Sequence, residues 1–189
     1  MKFNWLHPKT VGVPEDWHIH FIEYLASVVR PRVYVELGLY HCETFNRIIP
    51  YAEHLVGVDR NPASGTYMAK SPKVQFICSS TQDFARYLTA GFRIDMLFID
   101  ANHAAEAVLE DFHNCFPSVA PQGLVLLHDT HPKNKAFAVP SLCGDAYLAA
   151  GILSRMAGPD YETVTIPVHP GLTIIRKRTK QLTWEEEGK

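Results

Sequence analysis

The sequence lacks the cysteine patterns that mark zinc sites and disulfide-stabilised domains. Its four cysteines, at positions 42, 78, 115 and 143, form no CxxC pair, and scattered thiols of this kind are typical of buried side chains in a reducing compartment. No apolar run approaches the roughly 18 residues that a membrane-spanning helix requires. Residues 1–16 also lack the unbroken apolar stretch of a secretory peptide. We therefore expect a cytoplasmic protein that has no membrane partner.

An excess of charge of one sign is also missing. The chain has 18 lysines and arginines against 20 acidic residues, a formal net charge of −2, so no overall field attracts a polyanion, and nucleic acid is not an expected partner. Hydrophobic residues make up 47% and charged residues 20% of the 189 residues, which is typical of one globular domain. We expect a single domain over residues 1–189, and a homo-oligomer stays open.

Short apolar runs alternate with segments of helical spacing. An amphipathic helix is predicted over residues 15–29, before Pro31. Near-continuous apolar runs predict five strands covered on both faces, and a Pro-Val-His-Pro-Gly connection predicts a closing hairpin. The fold class is therefore α/β: a Rossmann-like, doubly wound, mostly parallel sheet with a C-terminal antiparallel hairpin. The strands are predicted at 32–37, 54–59, 74–78, 94–100, 124–129, 161–166 and 172–176, and the later helices at 43–49, 81–90, 103–116 and 145–156.

Polar residues end nearly every one of the five apolar runs. In open α/β sheets, ligands bind beyond the carboxyl ends of the strands, so these residues are the candidate site. A single acid after a strand is more often a helix cap or a solvated loop residue, but five in register are harder to explain in that way. The strand-end groups are Glu36 with Gly38, Asp59, Ser79 with Ser80, Asp100, and His128 with Asp129.

The first two of these groups indicate a nucleoside ligand. Gly38 permits close approach of the backbone to a ligand, and Asp59 follows it at about the 20-residue spacing at which an acid binds a ribose diol. The sequence contains no G-x-G-x-x-G motif, which a dinucleotide pyrophosphate requires. An NAD-linked oxidoreductase is therefore disfavoured.

Four segments carry a family resemblance: VYVELGLYHCETF, LVGVDRNP, VQFICSSTQDF and IDMLFIDANHAAEAVLEDFHNCFPSVAPQGLVLLHDT. They resemble class I S-adenosylmethionine-dependent methyltransferases, in particular the small-molecule O-methyltransferases of methyltransferase family 24, which are similar to macrolide sugar O-methyltransferases and cephalosporin-hydroxylase-like proteins. The fourth segment is the most specific. It combines an acid-ended strand, a histidine three residues later, an acidic helix, a Pro-Gln-Gly turn and a strand ending in His-Asp.

The resemblance implies S-adenosylmethionine as cofactor and a small-molecule acceptor, with a hydroxyl as the methylated group. Asp100 would face the methyl-transfer site. The family commonly has glycine where this chain has Cys42, two residues before the hydroxyl of Thr44. The implied cofactor-binding residues are Glu36, Gly38 and Thr44 at the methionine end, Asp59 and Arg60 at the ribose, Ser80, Thr81 and Gln82 near the adenine, and Asp100.

Some relatives hold a divalent metal at the ends of the fourth and fifth strands, where this chain has Asp100 and Asp129. Mg²⁺ prefers such carboxylates, whereas a softer metal accepts His128. His103 is a candidate general base for the acceptor hydroxyl, and Asp100 and His128 complete the candidate catalytic set. Structural roles stay open for all of them, and His113, His131 and His169 are interpreted as surface residues.

Four regions are predicted within the single domain. They are an N-terminal helical region (1–31), the cofactor-binding core (32–130), a lid, helix and hairpin (131–178), and a charged tail (179–189). Pro132 and Pro140 interrupt the lid, and Asp145 is expected to cap the late helix. The function alternatives are methyl transfer, a non-catalytic cofactor-binding module with the same fold and the disfavoured oxidoreductase.

Overall fold

A seven-stranded sheet forms the centre of the structure, a computed structural model that describes residues 12–178. Its order is β3-β2-β1-β4-β5-β7-β6; β1 to β5 are parallel, and β7 runs antiparallel between β5 and β6. The predicted fold class is thus confirmed. The charged tail predicted at 179–189 lies outside the described residues. The strands are β1 (Val33–Leu37), β2 (His54–Asp59), β3 (Val74–Cys78), β4 (Ile94–Ile99), β5 (Val119–His128), β6 (Tyr161–Ile166) and β7 (Leu172–Lys177).

Helices cover both faces of this sheet. Helices α1 and α2 bury Ile22 and Phe45 in one core layer, and α4 to α6 bury residues such as Phe84 and Phe112 in the other. None of the helices within residues 12–178 is long and apolar enough to cross a membrane. The helices are α1 (Trp17–Val29), α2 (Glu43–Ile48), α3 (Ser64–Tyr67), α4 (Thr81–Phe84), α5 (Ala105–Cys115) and α6 (Ala146–Met156).

Two predicted elements have a different form in the structure, and a third element, α3, was not predicted. The helix predicted at 81–90 is one α-helical turn, α4, followed by a 3₁₀ turn (Ala85–Tyr87), and Phe84 is the fully buried residue that anchors it. The predicted Pro-Gln-Gly turn instead lies inside β5, which extends back to Val119 through a register shift against β4. Gln122 has a φ of 65° there, and such an irregularity lets the strand continue past residues that cannot pair normally.

Strands β2 and β3 lie on one side of β1 in the sheet, whereas β4 and β5 lie on its other side. Gly38 follows β1 with a φ of 86°, and a Cβ on it would lie 2.1 Å from the backbone oxygen of Asp100. Only glycine permits this approach without strain. The turn after β1 and the end of β4 therefore meet at the switch point, where open α/β sheets bind ligands.

Candidate active site

A cluster of two carboxylates and two imidazoles lies at the carboxyl ends of β4 and β5. His103 Nε2 lies 3.3 Å from Asp129 Oδ2 and 3.9 Å from Asp100 Oδ1. His128 Nδ1 lies 3.0 Å from Asp100 Oδ1 and 3.5 Å from Asp129 Oδ2. The parallel pairing of β4 with β5 brings these groups together, as the positions of the strand ends predict.

The charges within the cluster stabilise one another. Burial alone would lower the pKa of His128, but the carboxylates of Asp100 and Asp129 raise it to about 10. Burial alone would raise the pKa of Asp100, but the neighbouring imidazoles of His128 and His103 hold this pKa below its usual value. These shifts favour an anionic Asp100 beside a cationic His128.

His18 on α1 is a member of the cluster that the sequence analysis missed. Its ring centroid lies 4.2 Å from that of His128, and burial, followed by the charge of His128, lowers its pKa to about 4. The sequence held a signal for it, because His18 precedes the buried Ile22 by four residues and so shares the buried face of α1. The Trp17 indole donates to the backbone oxygen of His169 over 2.8 Å and fixes α1 against the β6–β7 connection.

A polar trough leads away from this cluster along the strand ends. One part, of about 320 Å³, is lined by six of the residues expected to bind a cofactor. A second part, of about 170 Å³, lies beyond Gly38, which lines both. The structure therefore brings all the implied cofactor positions to one connected surface. The first part includes Gly38, Asp59, Arg60, Ser80, Thr81 and Gln82, and the second Glu36, Gly38, Thr44 and Asp100.

Asp59 lines the trough but also shapes the turn beside it. Its Oδ2 accepts hydrogen bonds from the backbone N–H groups of Leu39 (3.0 Å) and Tyr40 (3.2 Å), and Oδ1 accepts from Asn61 N–H over 2.8 Å. Desolvation raises the pKa of Asp59, but these hydrogen bonds outweigh it and the pKa is lowered. The carboxylate thus orders the glycine turn before any ligand is bound.

Glu36 is a buried carboxylate in the second part of the trough. It is 3% exposed, and its Oε2 accepts a hydrogen bond of 2.5 Å from the Tyr34 hydroxyl. Burial raises its pKa well above the usual range. Within residues 12–178, no ion pair involves Glu36. Burial therefore favours the neutral acid, and a cationic group of a ligand in the trough would stabilise the ionised form of Glu36.

Cys42 occupies the position at which the resemblance stated from the sequence implies glycine. Its φ of 58° lies in the left-handed region, which explains why glycine suits this position. The thiol is fully buried and lies 3.3 Å from the backbone oxygen of Ser64, to which it donates. Cys42 therefore points into the core, and Thr44 reaches the trough without obstruction from it.

A third hollow, of about 390 Å³, adjoins the cluster on the side away from the trough. Its walls include Phe137, Leu142 and Pro170, and its inner end is formed by His103 and Asp129. His103 lines both this hollow and the trough. His169, interpreted from sequence as a surface residue, is half-buried here and packs edge-on against Phe137 with ring centroids 4.5 Å apart.

The segment predicted as a lid forms one wall of this hollow. Gly144 has a φ of 56°, and a Cβ on it would lie 2.3 Å from the backbone oxygen of His103. Asp145 was expected to cap α6, but its side chain makes no hydrogen bond to that helix. Instead its Oδ1 accepts from the backbone N–H of Ala105, over 2.5 Å, at the start of α5. The end of the lid is thus attached to the start of α5, the helix that follows His103.

Three solved structures resemble this fold. One is the O-methyltransferase TomG from Streptomyces achromogenes, which is involved in tomaymycin synthesis and was solved with S-adenosylmethionine (SAM). Its TM-score is 0.72 at 15% sequence identity, and the match covers 86% of this chain and 80% of TomG. Podospora anserina PaMTH1, a methyltransferase with bound S-adenosylhomocysteine (SAH), gives 0.69 at 15%, covering 86% and 79%. A Bacillus cereus O-methyltransferase in complex with SAH gives 0.69 at 10%, covering 85% and 80%.

At these identities the structural matches establish a shared fold only. A search of curated proteins found no match. The family itself is established from sequence: a family model described as a methyltransferase domain matches residues 35–130, just over half of the chain and the part that holds the trough and the cluster. The resemblance stated from the sequence is thereby confirmed, and this chain belongs to the methyltransferase-domain family.

Proposed function

We propose that this protein transfers a methyl group from S-adenosylmethionine to a hydroxyl of a small-molecule acceptor. The observation that carries the proposal is the position of His103, which lines both the polar trough and the apolar-walled hollow. A cofactor in the first and an acceptor in the second would meet at that residue. The bound SAM and SAH of the structural relatives support the choice of cofactor.

The trough suits a nucleoside with a short charged tail. Asp59 and Arg60 line its middle and Ser80 to Gln82 its outer end, whereas the buried carboxylate of Glu36 lies at its inner end. In this assignment Asp59 accepts from the ribose hydroxyls and Glu36 compensates the ammonium of the methionine moiety. The cofactor supplies an electrophilic methyl group on its sulfonium.

The acceptor side requires orientation and removal of one proton. Phe137, Leu142 and Pro170 would hold the acceptor in the hollow, and such positioning contributes to the rate of a direct displacement. His103 is the general base, because it faces the hollow and Asp129 lies 3.3 Å from its Nε2. His128 is a positioning residue, because the contact of its Nδ1 with Asp100 Oδ1 holds that carboxylate in place.

The same residues fit a divalent metal ion. One ligand atom from each of Asp100, His103 and Asp129 lies within 4.8 Å of the others, a separation that a single ion can bridge. Two carboxylates with one imidazole suit Mn²⁺ or a similar transition metal better than Mg²⁺, which prefers oxygen ligands only. A bound ion would act as a Lewis acid on the acceptor hydroxyl.

Calorimetry tests the cofactor assignment directly. We expect SAM and SAH to bind and NAD to show no heat, because the chain has no pyrophosphate-binding glycines. Formation of SAH with a panel of hydroxylated acceptors then separates an enzyme from a non-catalytic binding module. Tight SAH binding without turnover on any acceptor would favour the module.

Chelation separates the two accounts of proton removal. If the ion assists, protein treated with EDTA loses turnover with the acceptor, and Mn²⁺ restores it. Full activity of the metal-free protein would contradict the metal site and leave His103 as the sole base. Calorimetric titration of the metal-free protein with Mn²⁺ gives a second readout that does not depend on knowing the acceptor.

A further inference from the structure

Asp111 on α5 is a buried acid that the proposed mechanism does not use. It is 0% exposed, and neither carboxylate oxygen has a partner within hydrogen-bond geometry among residues 12–178. The surrounding core is apolar and includes Val108, Phe112 and Cys115 on the same helix. A buried carboxylate without partners lowers the stability of the folded protein, so packing alone gives no reason for an acid here.

The polar side chain that interacts with Asp111, that of Thr81, also lines the trough. Burial raises the pKa of Asp111 to about 6, and the Thr81 side chain partly offsets this, although the contact falls outside normal hydrogen-bond geometry. Thr81 begins α4 and lines the outer end of the trough. The carboxylate therefore faces a residue that would contact the cofactor.

The preceding residue of α5 makes a parallel contact. Glu110 Oε2 accepts from Gln82 Nε2 over 3.3 Å, and Gln82 also lines the trough. Two consecutive acids of α5 thus lie against two consecutive residues of α4. Since α4 is a single turn, it has little internal hydrogen bonding to hold these residues in place, and α5 supplies support from outside.

We propose that Asp111 is a positioning residue for the cofactor. When the base of the nucleoside occupies the outer end of the trough, Asp111 accepts a hydrogen bond from the Thr81 hydroxyl. Asp111 touches neither cofactor nor acceptor and acts through Thr81. The inference rests on the proposed function, because it assigns the ligand at that end of the trough. Its consequence is that an isolated acid outside the site sets part of the affinity for SAM and SAH.

The test measures SAH affinity by calorimetry and melting temperature together. Asp111→Ala removes the acceptor, and we expect SAH to bind about 10-fold more weakly, the scale of one hydrogen bond. Asp111→Asn keeps an acceptor oxygen and is expected to bind within about threefold of wild type. Val108→Ala is the matched control, because it opens a similar cavity on the same helix and should lower the melting temperature without changing the affinity.

A double-mutant cycle identifies Thr81 as the intermediary. Thr81→Val should weaken SAH binding, and the double variant Thr81→Val/Asp111→Ala should bind no more weakly than Thr81→Val alone, because Asp111 acts only through the Thr81 hydroxyl. Additive losses would overturn the inference, as would an Asp111→Ala protein that binds SAH as tightly as wild type. A wild-type protein that binds no SAH would overturn the proposed function itself.

Discussion

At the amino end of the sheet, Asp95 and Lys73 are paired with the backbone, whereas at the carboxyl end Asp100 and Asp129 are paired with histidines. Asp95 accepts from the backbone N–H of Val33 over 2.8 Å, and Lys73 Nζ donates to the backbone oxygen of Ala52 over 3.0 Å. Both residues line a hollow of about 520 Å³. At the other end, Asp100 and Asp129 face two histidines.

The amino-end hollow is larger than the trough and larger than the hollow beside His103. Volume therefore does not indicate the site in this protein. What distinguishes the carboxyl end is a set of interacting ionisable groups that carry perturbed pKa values, which is a physical signature of functional sites. The following predictions test that contrast, from the largest expected effect to the smallest.

Removing one acid at each end should have very different effects on activity. Asp100→Asn is expected to lower the rate of methyl transfer about 1,000-fold, because it breaks the cluster that holds His128 and positions the site. Asp95→Ala removes the acceptor of the Val33 N–H at the amino end and should leave the rate within about twofold while lowering the melting temperature. SAH formation with a responsive acceptor measures both; equal losses would contradict the contrast.

Gly38 and Gly91 both have a φ in the left-handed region, and substituting each in turn compares their contributions to stability. A Cβ at Gly38 would collide with Asp100, so Gly38→Ala should lower the free energy of unfolding by about 3 kcal/mol. Gly91 has a φ of 98° but nothing within 4 Å of its Cβ position, and Gly91→Ala should cost only about 1 kcal/mol of backbone strain. Urea denaturation of both variants gives the comparison. Equal losses in the free energy of unfolding would mean that the backbone around residue 38 moves easily to accommodate the added Cβ.

The buried acid on α5 should make stability depend on pH. Because the pKa of Asp111 is raised from 3.8 to about 6, the folded state binds the proton more tightly than the unfolded state, and stability falls as pH rises through that window. Asp111→Asn abolishes this fall and should be more stable than wild type above pH 6, by on the order of 2 kcal/mol. Denaturation at pH 4 and pH 7.5 checks the sign; an advantage that is the same at both pH values would exclude titration of Asp111.

Asp59 tests the cofactor half of the carboxyl end. Asp59→Ala should weaken SAH binding by about 1.5 kcal/mol or more, the scale of a charge-assisted hydrogen bond. Because Asp59 also holds Leu39 and Tyr40, the ribose contact must be separated from the turn. A 2′-deoxy analogue of SAH should bind the wild-type protein more weakly than SAH does, and this difference in affinity should be smaller for Asp59→Ala. An equal difference in both proteins would mean that Asp59 only holds the turn.

The lid is expected to show the smallest effect. Amides of the segment at 130–144 should exchange rapidly in the free protein and slow when cofactor and acceptor are both bound. The attachment of Gly144 to His103 and of Asp145 to α5 predicts that protection in the free protein begins near residue 144. Strong protection across the whole segment without ligand would indicate a rigid wall.

The sequence alone determined the strands and the residues at their ends. Near-continuous apolar runs specify buried strands, and parallel pairing carries their carboxyl ends to one edge, so Asp59, Asp100 and Asp129 were found without coordinates. These are local patterns, in which a residue is identified by its immediate neighbours. The short α4 shows the limit of such patterns, because helical spacing did not reveal that the α-helix ends at Phe84, its one buried residue.

Only the tertiary structure decided which distant residues touch. His18 joins His128 from a helix 110 positions earlier in the chain, Asp145 caps α5 instead of its own helix, and Glu110 of α5 accepts from Gln82 of α4. Each contact depends on how elements pack in three dimensions, and packing is set by the combined shapes of many side chains that no local period records. The sequence thus specified the chemistry at the strand ends, and the fold selected the residues that surround it.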